Sequence, residues 1–127
     1  MRTIKFRAQD FTKTWKYGYV AMGNESAVLF PKMKDGSVMI DIQIYVLPET
    51  VGQYTGLKDK NGTEIYEGDC VLLEGVGVFN VRYSTSMCQF GLYGERGFID
   101  ALKELQADRY VVVGNIYDNS ELLTKTK

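Results

Sequence analysis

Asp59, Glu64, Glu67 and Asp69 bring four carboxylates into one short stretch, YTGLKDKNGTEIYEGD, residues 54–69. Clustered carboxylates hold hard cations, with ligand oxygens about 2.0–2.6 Å from magnesium or calcium. A calcium loop of the EF-hand type needs glycine at its sixth position, between two helices. Counting from Asp59, Gly62 falls fourth, and the flanks read as strands. A magnesium enzyme would need at least three of Asp41, Asp59, Glu64, Glu67, Asp69 and Asp118 to converge. Glu64 and Glu67 are odd-spaced, however, and in a strand they project to opposite faces. We read these carboxylates as solvated charges and turn residues and expect no metal or cofactor. A carboxylate-based, metal-dependent enzyme is kept as an alternative.

Other chemistry is thinly represented. The chain has no histidine, which removes Ser-His-Asp and Cys-His catalysis and imidazole metal ligation. Cys70 and Cys88 are its only cysteines; without a C-x-x-C pair they do not make a thiolate zinc site. Cys88 lies between Met87 and Gln89 with no basic neighbour in sequence and reads as an inert packed thiol. EGVGVFN and VGNIYDN lack the spacing of phosphate-binding glycine loops. The sequence leans against an enzyme and assigns no catalytic residue.

The net charge is −1, unlike a strongly basic nucleic-acid binder. Residues 1–20 nevertheless carry Arg2, Lys5, Arg7, Lys13 and Lys16 against Asp10 alone, around Trp15, Tyr17 and Tyr19. Rings beside cations are how single strands are held. Arg2, Lys5, Arg7, Trp15, Lys16 and Tyr17 are therefore candidates for nucleic-acid or partner contact. Nucleic acid is not the favoured partner, because such aromatics more often serve a core. A homo-oligomer and a phage or host protein are the partners expected. MRTIKFRAQD lacks an apolar leader segment, and apolar runs such as YVVV are too short for a helical membrane span. A cytoplasmic protein that makes no membrane contact is expected.

The elements that must position these residues are mostly strands. RTIKFRA (2–8) alternates, with Ile4, Phe6 and Ala8 on one face. WKYGYVA (15–21), SAVLF (26–30) and a long run over 38–47, with Ile40, Ile42, Ile44 and Val46 on one face, follow it. Asp35-Gly36 is expected to turn the chain between the last two. LPETVG (47–52) connects two lobes. Asn61-Gly62 is a strong hairpin signal because both residues tolerate positive φ, and Gly68-Asp69 makes a second turn. CVLLE, VGVFNVRYS (76–84), MCQFGLYG (87–94) and RYVVVGNIYD (109–118) continue as strands. In ERGFIDALKELQA, Phe98, Ala101/Leu102 and Leu105 recur at helical spacing, which predicts one helix near 97–106. NSELL predicts a closing helical turn capped by Asn119 or Ser120.

Together IKFRAQD, QYTGLKDKNGTEIYEGDCV and VVVGNIYDNSELL resemble the YopX family of phage and prophage proteins, in order and spacing along nearly the whole chain. The family's end motif runs closer to I-G-N-I-Y-E-N-P-E-L-L; Val113, Asp118 and Ser120 depart from it mildly. The resemblance implies a mainly β protein, α+β at most, with an N-terminal α+β or β-rich lobe (1–50) and a C-terminal small antiparallel barrel of the Src-homology (SH3-like) kind (51–127). It implies origin in a bacteriophage or integrated element and brings no catalytic residue set. Thr55, Gly56, Asp59, Asn61, Gly62, Gly68, Asp69, Gly114 and Asn115 are read as turn and structural residues of these motifs, with Thr55, Gly56 and Leu57 as the hinge where the lobes pack.

Overall fold

Two antiparallel sheets carry the chain. The computed structural model describes residues 3–31, 35, 37–38, 41–119 and 121, and these form two units, Met1–Tyr54 and Thr55–Lys127. The protein is mainly β.

In the first unit β1 (Phe6–Gln9), β2 (Trp15–Met22), β3 (Ala27–Pro31) and β4 (Ile44–Val46) are followed by β5 (Gly52–Lys58), whose second half belongs to the other unit. The order is β4-β3-β2-β1-β5. Asp10 folds the β1–β2 turn: its Oδ1 accepts from the Thr12 N–H at 2.8 Å, the Thr12 hydroxyl at 2.6 Å and the Thr14 N–H at 3.1 Å. A short acidic side chain bonding the backbone just ahead of it is a turn device. Alternation then sorts the side chains. Ala8, Ala27, Leu29 and Val46 cluster in the core of this unit, with Val20, Ile44 and Val51 packed against them. An isolated Asp10–Val46 bridge and a 2.8 Å bond from the Leu47 N–H to the Gln9 carbonyl curl the sheet, bringing β4 to the end of β1. The curl is tight at Gly18, where any Cβ would land on the Phe30 carbonyl. A 3-10 turn, Pro48–Thr50, leads into β5.

The second unit adds β6 (Glu64–Tyr66), β7 (Asp69–Leu73), β8 (Gly77–Ser84), β9 (Gln89–Gly94), β10 (Gly97–Ala101) and β11 (Tyr110–Asn115). Its larger sheet runs β10-β9-β8-β7-β11. Ile65, Val71, Leu73, Val81, Leu92 and Tyr110 form the core, joined by Leu57, Phe79, Leu102, Ala107 and Val112. Each aliphatic side chain fully withdrawn from water contributes about 1.5–3 kcal/mol.

Three expectations need correction. The predicted helix over 97–106 is a strand, Gly97–Ala101, followed by a 3-10 turn, Glu104–Arg109. Gly97 at φ +107° closes a hairpin onto β9, and a register shift between Phe98 and Asp100 breaks the alternation that would have marked a strand. Leu105, read as a core-facing helical position, is 94% exposed. Of the long strand expected over 38–47, the described residues form Ile44–Val46, with Val38 in a single bridge. β3 pairs it only through Ala27, Val28 and Leu29, and Ile42 stands exposed beyond the last rung. The first strand begins at Phe6, leaving Ile4 exposed. The Gly36 position of the expected Asp-Gly turn, Met39, Ile40 and most of NSELL, Ser120 included, lie outside the described residues.

Candidate functional site

The carboxylate-rich stretch folds as two turns and spends two of its four acids, Asp59 and Asp69, on backbone. Asp59, buried, accepts from the Asn61 and Thr63 N–H groups on Oδ1, both at 2.9 Å, and from the Val112 N–H on Oδ2 at 2.9 Å. The Lys60 N–H reaches the Tyr110 carbonyl at 3.1 Å. One side chain thus shapes the β5–β6 hairpin and fastens it to β11. Gly62 (φ +82°) and Gly68 (φ +97°) occupy the left-handed conformation that the two turns require. At the second turn, Asp69 Oδ2 accepts from the Tyr66 N–H at 2.7 Å, and the Gly68 carbonyl accepts from the Ile116 N–H at 2.9 Å.

Asn115 pairs with Asp69 across β11 and β7. Its Oδ1 accepts from the Tyr117 and Asp118 N–H groups at 3.0 and 2.9 Å, while its Nδ2 donates to Asp118 at 3.2 Å. Gly114 sits where the β11 register shifts, between Val112 and Gly114. Thr55 Oγ1 donates to the Ile65 carbonyl at 2.8 Å, and Gly56 has φ +91°. Glu64 accepts from the Tyr66 hydroxyl at 3.1 Å. Among the described residues no three of His, Cys, Asp and Glu converge on a point that could hold a metal ion. Cys70 is fully buried, and burial, then the Asp69 charge, push its thiol up to about 11. It is therefore protonated and a poor nucleophile at neutral pH. Cys88, expected to be packed, is instead exposed at φ +53°, its thiol donating to the Thr85 carbonyl at 3.5 Å.

The N-terminal candidates divide between two faces. Arg7 lies opposite Tyr17 and Gln9 opposite Trp15, so these four share the outer face of the sheet. The Arg7 guanidinium is buried with its Cζ 4.3 Å above the Trp15 ring, and Lys5 Nζ lies 5.2 Å over Tyr54. Lys16 pairs with Ala8 and therefore projects from the other face. Arg2 is outside the described residues. Tyr19 opposite Phe30, and Tyr45 opposite Val28, extend the same outer face across β3 and β4. Tyr17 is 49% exposed and Tyr45 60%.

Residues 2–124 match the YopX family, described as YopX protein. The chain belongs to the YopX family. It is also similar to a solved structure, the crystal structure of protein EF1440 from Enterococcus faecalis. The identity is 28% and the TM-score 0.60, with 97% of this chain and 99% of that chain covered. Among curated proteins none matches.

In this YopX chain the middle and final motifs meet in the second unit, through the Asp59–Val112, Gly68–Ile116 and Asp69–Asn115 contacts. Their side chains build turns and strand junctions. The outer aromatic face carries no motif beyond part of IKFRAQD. Phe30 and Tyr45 were the residues that sequence reasoning did not add to it. Their signal lay in the alternation of AVLF and IYV, which sets them opposite the core-facing Leu29 and Val46, but only strand pairing brings them beside Tyr19 and Val28. Among the described residues no helix is long and apolar enough to cross a membrane.

Proposed function

We propose that this YopX-family protein is a non-enzymatic accessory protein, encoded by a phage or prophage, that works through protein contacts in the bacterial cytoplasm. A second copy of the chain is the first partner we propose. One observation carries this reading: the curled sheet of the first unit closes one face on Ala8, Ala27, Leu29 and Val46 while its outer face presents Tyr17 and Tyr45 half open. Protein interfaces are enriched in such rings at their centres, since tyrosine adds large area and a hydroxyl at little entropic cost. Of the carboxylates that would have served an enzyme, Asp59, Asp69 and Asp118 are engaged in turns, Asp59 above all. The five-stranded order of the second unit, with a 3-10 turn directly before the last strand, supports reading it as the Src-homology-like lobe. Light scattering combined with pull-down from host lysate tests the proposal. Self-association or a specific capture that depends on Tyr17 and Tyr45 is expected. A monomer that captures nothing contradicts it.

A second reading, weak single-stranded nucleic-acid binding on the same face, draws on the Arg7–Trp15 and Lys5–Tyr54 stacks. It ranks lower because Arg7 is buried and Lys16 projects from the opposite face. Anisotropy titrations with oligonucleotides at low and moderate salt decide it. Binding that falls steeply with salt, and is lost on Lys5→Glu, is the outcome it requires.

A further inference from the structure

Asn61-Gly62 is the one Asn-Gly dipeptide in the sequence, and the fold handles it in a particular way. Asparagine followed by glycine cyclises readily because no side chain on the next residue hinders attack. The Gly62 backbone nitrogen loses its proton to hydroxide and forms a bond to Asn61 Cγ. The Cγ–Nδ2 bond breaks, ammonia leaves, and water opens the resulting imide to aspartate or to its β-linked isomer. Both residues are exposed, so water and hydroxide have access. The attacking nitrogen, however, is engaged: the Gly62 N–H donates to the Asp59 carbonyl at 3.0 Å. The Asn61 and Thr63 N–H groups on either side are held on Asp59 Oδ1 at 2.9 Å, and the Asp59 N–H closes the turn on the Thr63 carbonyl at 2.8 Å.

We propose that the Asp59 turn protects Asn61-Gly62 from deamidation, so that conversion takes place only when the β5–β6 hairpin opens and then prevents its exact re-closure. The β-linked product lengthens the main chain by one methylene inside a turn whose donors are all spaced for a normal backbone. Either product adds a negative charge next to Asp59 and Glu64, where like charges at close range repel. Asp59 Oδ2 also holds the Val112 N–H, so a damaged turn loosens the attachment of the hairpin to β11. Asn61-Gly62 is then a modification site that records, irreversibly, how often this part of the second unit opens.

The test follows mass gain and isoaspartate at Asn61 by peptide mass spectrometry in mildly alkaline buffer. Three samples are compared: the full chain in native buffer, the same chain across a urea series, and the free peptide YTGLKDKNGTEIYEGD. Native protein is expected to convert at least about tenfold more slowly than the peptide, in line with the protection that hydrogen-bonded amides enjoy in folded regions. The rate should rise to the peptide's as urea opens the unit. Asp59→Ala, which removes both side-chain acceptors and is checked for folding by circular dichroism, should convert faster than the native chain. A native rate equal to the peptide's overturns the proposal, whatever the variant does. A folded Asp59→Ala protein that converts at the native rate removes the Asp59 side chain from it.

Discussion

The motif junction of the second unit and the outer aromatic face of the first are opposites. At the junction, Asp59 alone satisfies three backbone N–H groups, and Asn115 satisfies two more. On the aromatic face, Tyr17 and Tyr45 stand half open on a sheet whose other side is the core. The recognisable residues are the ones that hold the fold, and the open ones follow no family motif. A motif dense in Asp, Asn and Gly therefore marks architecture here. The exposed ring face is defined by strand pairing.

That contrast is broken or sharpened by substitutions on each side. The largest stability effect should come from Asp59→Ala. It strands three N–H groups, each at about 1–3 kcal/mol when left buried and unpaired. Groups near the turn surface recover water, so a loss of about 3 kcal/mol in urea denaturation is expected. A loss under about 1 kcal/mol would show that the junction is decorative. Gly18→Ala should come next. A methyl driven onto the Phe30 carbonyl costs about 1–3 kcal/mol, as overpacking does, and this time in the first unit. An unchanged denaturation midpoint would mean the curl has slack.

Tyr17→Ser with Tyr45→Ser sits at the other extreme. Exposed positions change stability by about 0.5 kcal/mol or less, so the pair should leave the denaturation curve near wild type while abolishing partner contact. A large loss of stability would reassign these rings to the core. The smallest effect concerns pH. The Thr12 hydroxyl, then the Thr14 N–H, hold the Asp10 carboxyl below its ordinary 3.8. Its charged form is favoured by folding, so this stabilisation is present above pH 3.8 and is lost as pH falls through the lowered folded value. NMR titration should show the Thr12 and Thr14 amide signals moving only below pH 3.8. Movement centred at or above that value would mean the turn bonds do not form in solution.

Much of the fold was legible. The hairpin at Asn61-Gly62 and the turn at Gly68-Asp69 are written in residues that few other turns need, and β2, β3, β8, β9 and β11 follow short apolar or alternating runs. The 97–106 segment misled because Phe98, Ala101 and Leu105 share helical spacing, whereas pairing with β9 and a register shift decide the backbone. Gly94 and Gly97, flanking Glu95-Arg96, were the available hairpin signal. The aromatic face was half legible. Trp15, Tyr17 and Tyr19 alternate within one strand, but Phe30 and Tyr45 join them through pairings between strands that local sequence does not encode. The division of Arg7 from Lys16 follows from period-two alternation once the β1–β2 register is known.

Light scattering across a concentration series, on wild type, Asp59→Asn and the Tyr17→Ser/Tyr45→Ser protein, tests the central contrast most directly. Wild type and Asp59→Asn should both rise above the 14.4 kDa of a single chain, since the junction frames the fold without forming the contact. The double tyrosine variant, folded as judged by its denaturation curve, should remain at 14.4 kDa. A wild-type protein that stays monomeric at every concentration, or a tyrosine variant that associates as wild type does, would contradict the account.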